Sequence, residues 1–344
     1  MRIFVGVLGA GLIVLMLSEF FVAFLLPRRV KRDPRIARGI YEAVWRPWRW
    51  TARRFSPVTA DSVLGYFGPL ALLLELAVWV FGLIVGYACL QWAGGGPFGL
   101  DASAGTFLAA AFDHTGTWHR SVGFAETATA VGVLFTVIGY LPAVYSAYSL
   151  REIAISRLST RAGAPPSAAG VLAHGRTEVV ETLREAERWA TEMMETHLAY
   201  PLLAYYRSQH VSQNWLSALT AIVDASAVLL AAVDETQFEP RTADLAFRVG
   251  RHALADLAHQ LADGRTGPPR EIAEGDAAWL RGLLEGTDLP LVPVGDCTER
   301  LTQLRAEYEA NAIALSSQLA LRLPPWRPDE KALARRALAP AYRR

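Results

Sequence analysis

Few side chains in this 344-residue chain have the type and spacing to do chemistry. Glu75 stands inside Leu72-Leu73-Leu74-Glu75-Leu76, where a carboxylate among aliphatic neighbours must meet other protein, water or a proton. Two roles stay open for it: ion handling, or a hydrogen bond to a neighbouring helix, with Ser18 and Glu19 as partners in the first apolar run. Asp113, His114 and Thr115 open the polar turn Asp113-His114-Thr115-Gly116-Thr117 and are candidates to line the mouth of an ion path. His252, Asp256 and His259 share a helical face at spacings of four and three, which could serve a metal. Such residues on an exposed face are more often merely solvated, and no metal site is expected there. His197, Arg207 and His210 flank Tyr205-Tyr206 and read as a buried or half-buried polar network rather than a catalytic pair. No phosphate-binding Gly-rich turn, HExxH helix or serine nucleophile elbow occurs. Two cysteines, Cys89 and Cys297, are too few for a structural zinc site. The expectation is a protein that is not an enzyme and needs no cofactor.

The elements that must position these residues are dominated by three apolar runs, Ile3 to Leu26, Val63 to Trp92 and Thr127 to Leu150. At 1.5 Å rise per residue each is long enough to cross a hydrocarbon layer of about 30 Å. Between the first two runs Arg28, Arg29, Lys31, Arg32, Arg35, Arg38, Arg46, Arg49, Arg53 and Arg54 face only Asp33, Glu42 and Asp61. The positive-inside rule puts that loop in the cytoplasm, the N-terminus outside and the C-terminal half inside a plasma membrane. The first run follows Met1-Arg2 and is expected to be an uncleaved anchor, being too long for a signal peptide and lacking a small-x-small cleavage pattern. A net charge of +1 gives no general attraction to nucleic acid.

Within the basic loop, Ile36 to Phe55 interleaves tryptophans with arginines, and Arg46, Trp48, Arg49, Trp50 and Arg53 are candidates to rest on membrane lipids. Gly94-Gly95-Gly96-Pro97 ends the second run. Thr106 to Phe112 is too short to span and reads either as a re-entrant segment or as an outer loop with a short packed helix. In the third run Gly139 and Pro142 mark an expected bend. Beyond it, helices are predicted over Glu178 to Tyr206, Trp215 to Val233, Arg241 to Leu261, Glu271 to Leu284 and Cys297 to Leu321. The Trp215 helix reads as the buried centre of a soluble bundle rather than a fourth span. The fold class is thus an all-α membrane protein of three transmembrane helices with a candidate re-entrant segment, followed by a cytoplasmic helical bundle. Its divisions are 1–26 (first span), 27–61 (basic aromatic segment), 62–150 (outer helix, candidate pore loop, inner helix), 151–323 (helical domain) and 324–344 (Pro- and Arg-rich tail).

The order of an outer helix, a short outer segment, an inner helix with a Gly and Pro bend and a helical domain resembles the bacterial two-helix, pore-loop, potassium-channel-like family. The residues that carry the likeness are Val137-Ile138-Gly139-Tyr140-Leu141-Pro142, Tyr145, Tyr148 and Arg151-Glu152. It continues through Arg161-Ala162-Gly163-Ala164-Pro165-Pro166 and Ala204-Tyr205-Tyr206-Arg207-Ser208-Gln209-His210. The resemblance implies a homo-oligomer, a tetramer, with a path for a monovalent cation such as potassium. A Thr-Val-Gly-Tyr-Gly filter is missing from the sequence; the nearest string, Ser121-Val122-Gly123-Phe124-Ala125-Glu126, has Ala125 where the second Gly belongs. Selectivity is therefore expected to be altered or lost, and the alternative is a non-conducting, membrane-anchored scaffold or sensor.

Overall fold

A computed structural model describes residues 1–24, 36–96, 117–210, 213–233, 240–262, 274–285, 289–291 and 294–325. All regular structure among the described residues is helical, apart from one isolated antiparallel bridge between Val233 and Leu291. Among the described residues four helical stretches are long and apolar enough to cross a membrane: Arg2–Phe24, Pro57–Ala93, Thr117–Ala162 and Trp215–Ala232. The chain divides into two compact units, Met1–Ser146 and Ala147–Arg344.

In the first unit α1 (Arg2–Phe24) and α4 (Phe67–Ala93) pack antiparallel along a seam of small residues. Gly6, Gly9, Ile13, Met16 and Phe20 recur on one face of α1, and the partner face of α4 carries Trp79, Gly82 and Gly86. A Cβ on Gly9 would stand 2.6 Å from the Cβ of Cys89, and one on Gly86 would stand 2.6 Å from Cγ1 of Ile13. Backbones approach this closely in lipid because van der Waals packing, not apolar burial, must drive helix association there. Lower on the seam, the ring of Phe20 stands edge-on to Trp79 at 5.6 Å, and Phe24 lies 4.1 Å from Tyr140.

Two shorter helices precede α4. The segment read as interfacial forms α2 (Ile36–Ala52), and α3 (Pro57–Gly65) begins at Ser56, whose hydroxyl accepts from the backbone N–H of Thr59 while Pro57 supplies a preset first-turn φ. Tyr66 alone separates α3 from α4, so helical structure starts earlier than the predicted Val63.

The third apolar run lies in α5 (Thr117–Ala162), which starts well before the expected Thr127 and passes Gly139 and Pro142 with no interruption of helix. Ser121 to Glu126, the string closest to a selectivity filter, is helical throughout. Its residues are not apolar enough to extend a hydropathy window, but they are good enough helix formers to continue the rod. Gly163, at φ 91°, ends α5 by taking the left-handed conformation that a side chain would resist, and its N–H reaches Ser159 O at 2.9 Å.

The second unit is a bundle around α8 (Trp215–Ala232), every residue of which is buried. Asn214 caps it by accepting from Ser217 N at 2.7 Å. Around it lie α6 (Ala168–Leu172), α7 (Arg176–Ala199), α9 (Arg241–Leu261), α11 (Val294–Ala306) and α12 (Glu309–Leu319), with α10 (Glu274–Glu285) against α6. The predicted Glu178 to Tyr206 helix ends at Ala199, because Pro201 has no N–H to continue it, and a 3-10 turn over Pro201–Tyr205 follows. The single helix predicted over Cys297 to Leu321 is two, broken at Glu307 and Tyr308. The break turns Tyr308 inward, where its hydroxyl donates to the carboxylate of Asp224 on α8.

Candidate functional site

Glu75 on α4 is 4% exposed, and its partner is the hydroxyl of Tyr41 on α2, which donates to Oε2. Glu19 on α1 is close enough to repel it. Ser18 is occupied in its own helix, donating to Val14 O at 2.5 Å and Leu15 O at 3.1 Å. A hydrogen bond from a neighbouring helix, one of the two roles left open for Glu75, is present, and it comes from the basic aromatic segment. Tyr41 was not legible as a donor because nothing in a linear sequence aligns α2 with the middle of α4.

The same helix α2 has two faces. Tyr41, Trp45, Trp48 and Ala52, spaced by four, three and four, lie toward the unit: Trp45 is buried against the Phe67 ring at 4.7 Å, and Trp48 Nε1 donates to Val63 O at 3.0 Å. Arg46, Trp50 and Arg53 are exposed on the other side, with Arg49 half-buried between them. Burial, and then the positive charges of Arg53 and Arg46, hold the Arg49 guanidinium below its ordinary pKa. The Arg54 guanidinium stacks on Trp50 at 3.5 Å. Of the five candidates for lipid contact, Arg46, Arg49, Trp50 and Arg53 share the outward face. Trp48 belongs instead to the packed one.

Asp113, His114 and Thr115, with the Thr106 to Phe112 segment, lie outside the described residues. Gly139 and Pro142 are in the described part of α5, and a Cβ on Gly139 would meet nothing within 4 Å.

A polar cluster that the sequence did not single out sits between α4 and α5, toward the end of α4 nearest Gly94. Glu126 is 0% exposed, and neither carboxylate oxygen has a hydrogen-bond partner. Gln91 is the polar side chain beside it, outside good hydrogen-bond geometry, and its own amide oxygen and nitrogen are buried without partners. Next to them Tyr87 OH lies 2.7 Å from Thr129 Oγ1 and donates to Ala125 O at 3.2 Å. On the same face of α5, His119 has a buried, unpartnered Nε2. The usable signal was a glutamine at the end of one apolar run and a glutamate just before the next.

In the second unit, Arg151 is 3% exposed and fully employed. Its Nη1 donates to Leu203 O at 2.8 Å, its Nη2 to Tyr206 O at 2.9 Å, and its Nε to Glu152 Oε1 at 3.1 Å. Nη1 also approaches Nε2 of His197 at 3.3 Å, while His197 Nδ1 lies 2.8 Å from Met193 O, which fixes the Nδ1–H tautomer. Burial, then the Arg151 charge, push the His197 pKa down to about 3, so the ring is neutral. Glu152 also accepts from Ser208 Oγ at 3.1 Å, and Tyr148 OH donates to Arg207 O at 3.1 Å. This is the polar network expected around Tyr205-Tyr206, though His210 is exposed and outside it. Deeper in the bundle, Asp224 and Tyr308 adjoin the buried ion pair of Arg305 and Glu309, and burial and the Asp224 charge raise Tyr308 well above its usual pKa. His252 is largely exposed, 3.7 Å from Asp256, and among the described residues no group of three or more His, Cys, Asp and Glu side chains is arranged for a metal ion.

No family model, curated protein or solved structure matches this chain.

Proposed function

We propose that the protein is a membrane-anchored helical module: three N-terminal spans hold a cytoplasmic bundle at the inner face of the plasma membrane, and α2 rests its arginine face on anionic lipid. The carrying observation is that Ser121 to Glu126, where a filter-like string falls, belongs to one unbroken helix from Thr117 to Ala162. Carbonyls spent on i to i−4 bonds are not free to replace an ion's hydration shell. In this reading α8 is not a span, since all of its apolar window is already buried by neighbouring helices. The arginine-rich loop sets the orientation, with the N-terminus outside and the C-terminus inside. Recording purified protein in planar bilayers under potassium and sodium gradients tests it: no conductance across a range of voltages is the expected result.

A second reading, a monovalent-cation path shared by subunits of a tetramer as the potassium-channel-like resemblance implies, is favoured by the buried, unpartnered Glu126 and Gln91. Potassium- or sodium-carrying current in the same recordings would select it.

A further inference from the structure

The surroundings of Glu126 are rich in oxygen, and the amide of Gln91 beside it makes no hydrogen bond of good geometry. The carboxylate contributes two oxygens without hydrogen-bond partners, and Gln91 contributes a third. Tyr87 and Thr129 add hydroxyls, joined to each other at 2.7 Å, and the carbonyl of Ala125 accepts from both. Arg2 stacks on Trp92, 5.7 Å from the ring centroid, and His119 lies against Gly96, whose Cβ would stand 2.9 Å from Nε2. A carboxylate out of water with no partner costs several kcal/mol unless a counter-charge joins it. A single carboxylate is a weak offer to a divalent ion, which ordinarily recruits several, and uncharged hard oxygens around one negative charge suit an alkali cation.

We propose that Glu126, Gln91, Tyr87 and Thr129 form a binding site for one sodium or potassium ion between α4 and α5. The ion brings together the carboxylate and amide oxygens, which have no hydrogen-bond partner, and so ties the two helices to each other. The inference goes beyond the anchored-module reading and holds whether or not the protein conducts.

The test is thermal unfolding of the full chain in lipid nanodiscs, titrated with sodium chloride or potassium chloride against N-methylglucamine chloride at constant ionic strength. A saturable rise in Tm is expected with one or both alkali ions and none with N-methylglucamine; the ion with the lower half-saturation is the preferred occupant. Thr129→Val, which removes one neutral oxygen, is expected to weaken half-saturation at least tenfold, and Glu126→Gln to abolish the effect. Glu75→Gln, which alters a membrane carboxylate away from the site, leaves it intact. Equal Tm in all three salts for the unsubstituted protein, as a permanently protonated Glu126 would give, overturns the proposal. So does an alkali-ion effect that survives Glu126→Gln. If Glu126→Gln does not fold, unchanged half-saturation in Thr129→Val overturns it as well.

Discussion

Two helices of almost equal mean hydropathy, 1.7 for the apolar window of α5 and 1.8 for that of α8, have opposite surroundings: 11% of the first window is buried by the protein and 100% of the second. Hydropathy measures what it costs to leave a helix in water. It does not say what removes the helix from water. Around α8 the removal is done by α6, α7, α9, α11 and α12. Phe124, Leu134, Phe135, Ile138 and Tyr145 of α5 have no such cover, which is the pattern expected of a helix that lipid surrounds. Small side chains also separate the two. The run Ala221 to Ala232 contains five alanines, which let flanking helices come close; Gly250 of α9 sits where a Cβ would collide with Val223.

The largest expected effect comes from exchanging the two environments. Leu219→Arg places a charge in the centre of the bundle and should cost more than about 4 kcal/mol, enough to abolish cooperative unfolding of the second unit by hydrogen exchange. Phe135→Arg on α5 should instead lower membrane integration, by about 3 kcal/mol in an insertion assay, and leave bundle exchange rates unchanged. If both substitutions damage the bundle alike, the contrast fails. Next in size is Arg151→Met, which orphans the carbonyls of Leu203 and Tyr206 and should cost about 3 kcal/mol in urea denaturation of the bundle.

His197 gives the comparison a pH dependence. Its folded pKa, about 3, lies below the ordinary 6.5, so the unfolded chain takes up the proton first. The stability it confers is complete above pH 6.5 and is lost as pH falls from 6.5 toward 3. Urea midpoints across that window should decline in the unsubstituted protein and flatten in His197→Gln. Gly86→Leu in the first unit should cost about 1–3 kcal/mol by forcing α1 away from α4, read as loss of thermal stability in nanodiscs with the bundle unaffected. The smallest effect is expected from Arg46→Gln, Arg49→Gln and Arg53→Gln, about 1 kcal/mol of anionic-lipid affinity per charge at low salt, measured by lipid exchange between nanodiscs.

Much of the helical layout was legible from residues alone. Arg241 to Leu261 has the bounds that its period-3.6 pattern implies, with Ala243, Ala246, Phe247, Gly250, Ala253, Leu254 and Leu257 on the buried face. Helix ends decided by partners elsewhere were not legible. Nothing near Tyr308 announces a break, because the reason for it is Asp224, far away in the chain. The candidate site divides in the same way. Glu75 stood out as a charge in an apolar run, while Glu126 was hidden because Thr127 looked like the start of the span; one more turn of helix puts the carboxylate inside the packed interface. Gly82 and Gly86, four apart, were a readable packing signal that passed unused.

The guanidinium of Arg207 donates to Leu319 O at 2.7 Å and to Ala320 O at 3.0 Å, and Asn214 Nδ2 donates to Arg322 O at 3.1 Å. The last described turn is therefore held by the stretch between α7 and α8, like a strap buckled back onto the middle of the bundle. Anyone trimming the protein to obtain its second unit must retain the chain through Arg322; a cut before Leu319 would leave Arg207 and the cap of α8 without the carbonyls they grip.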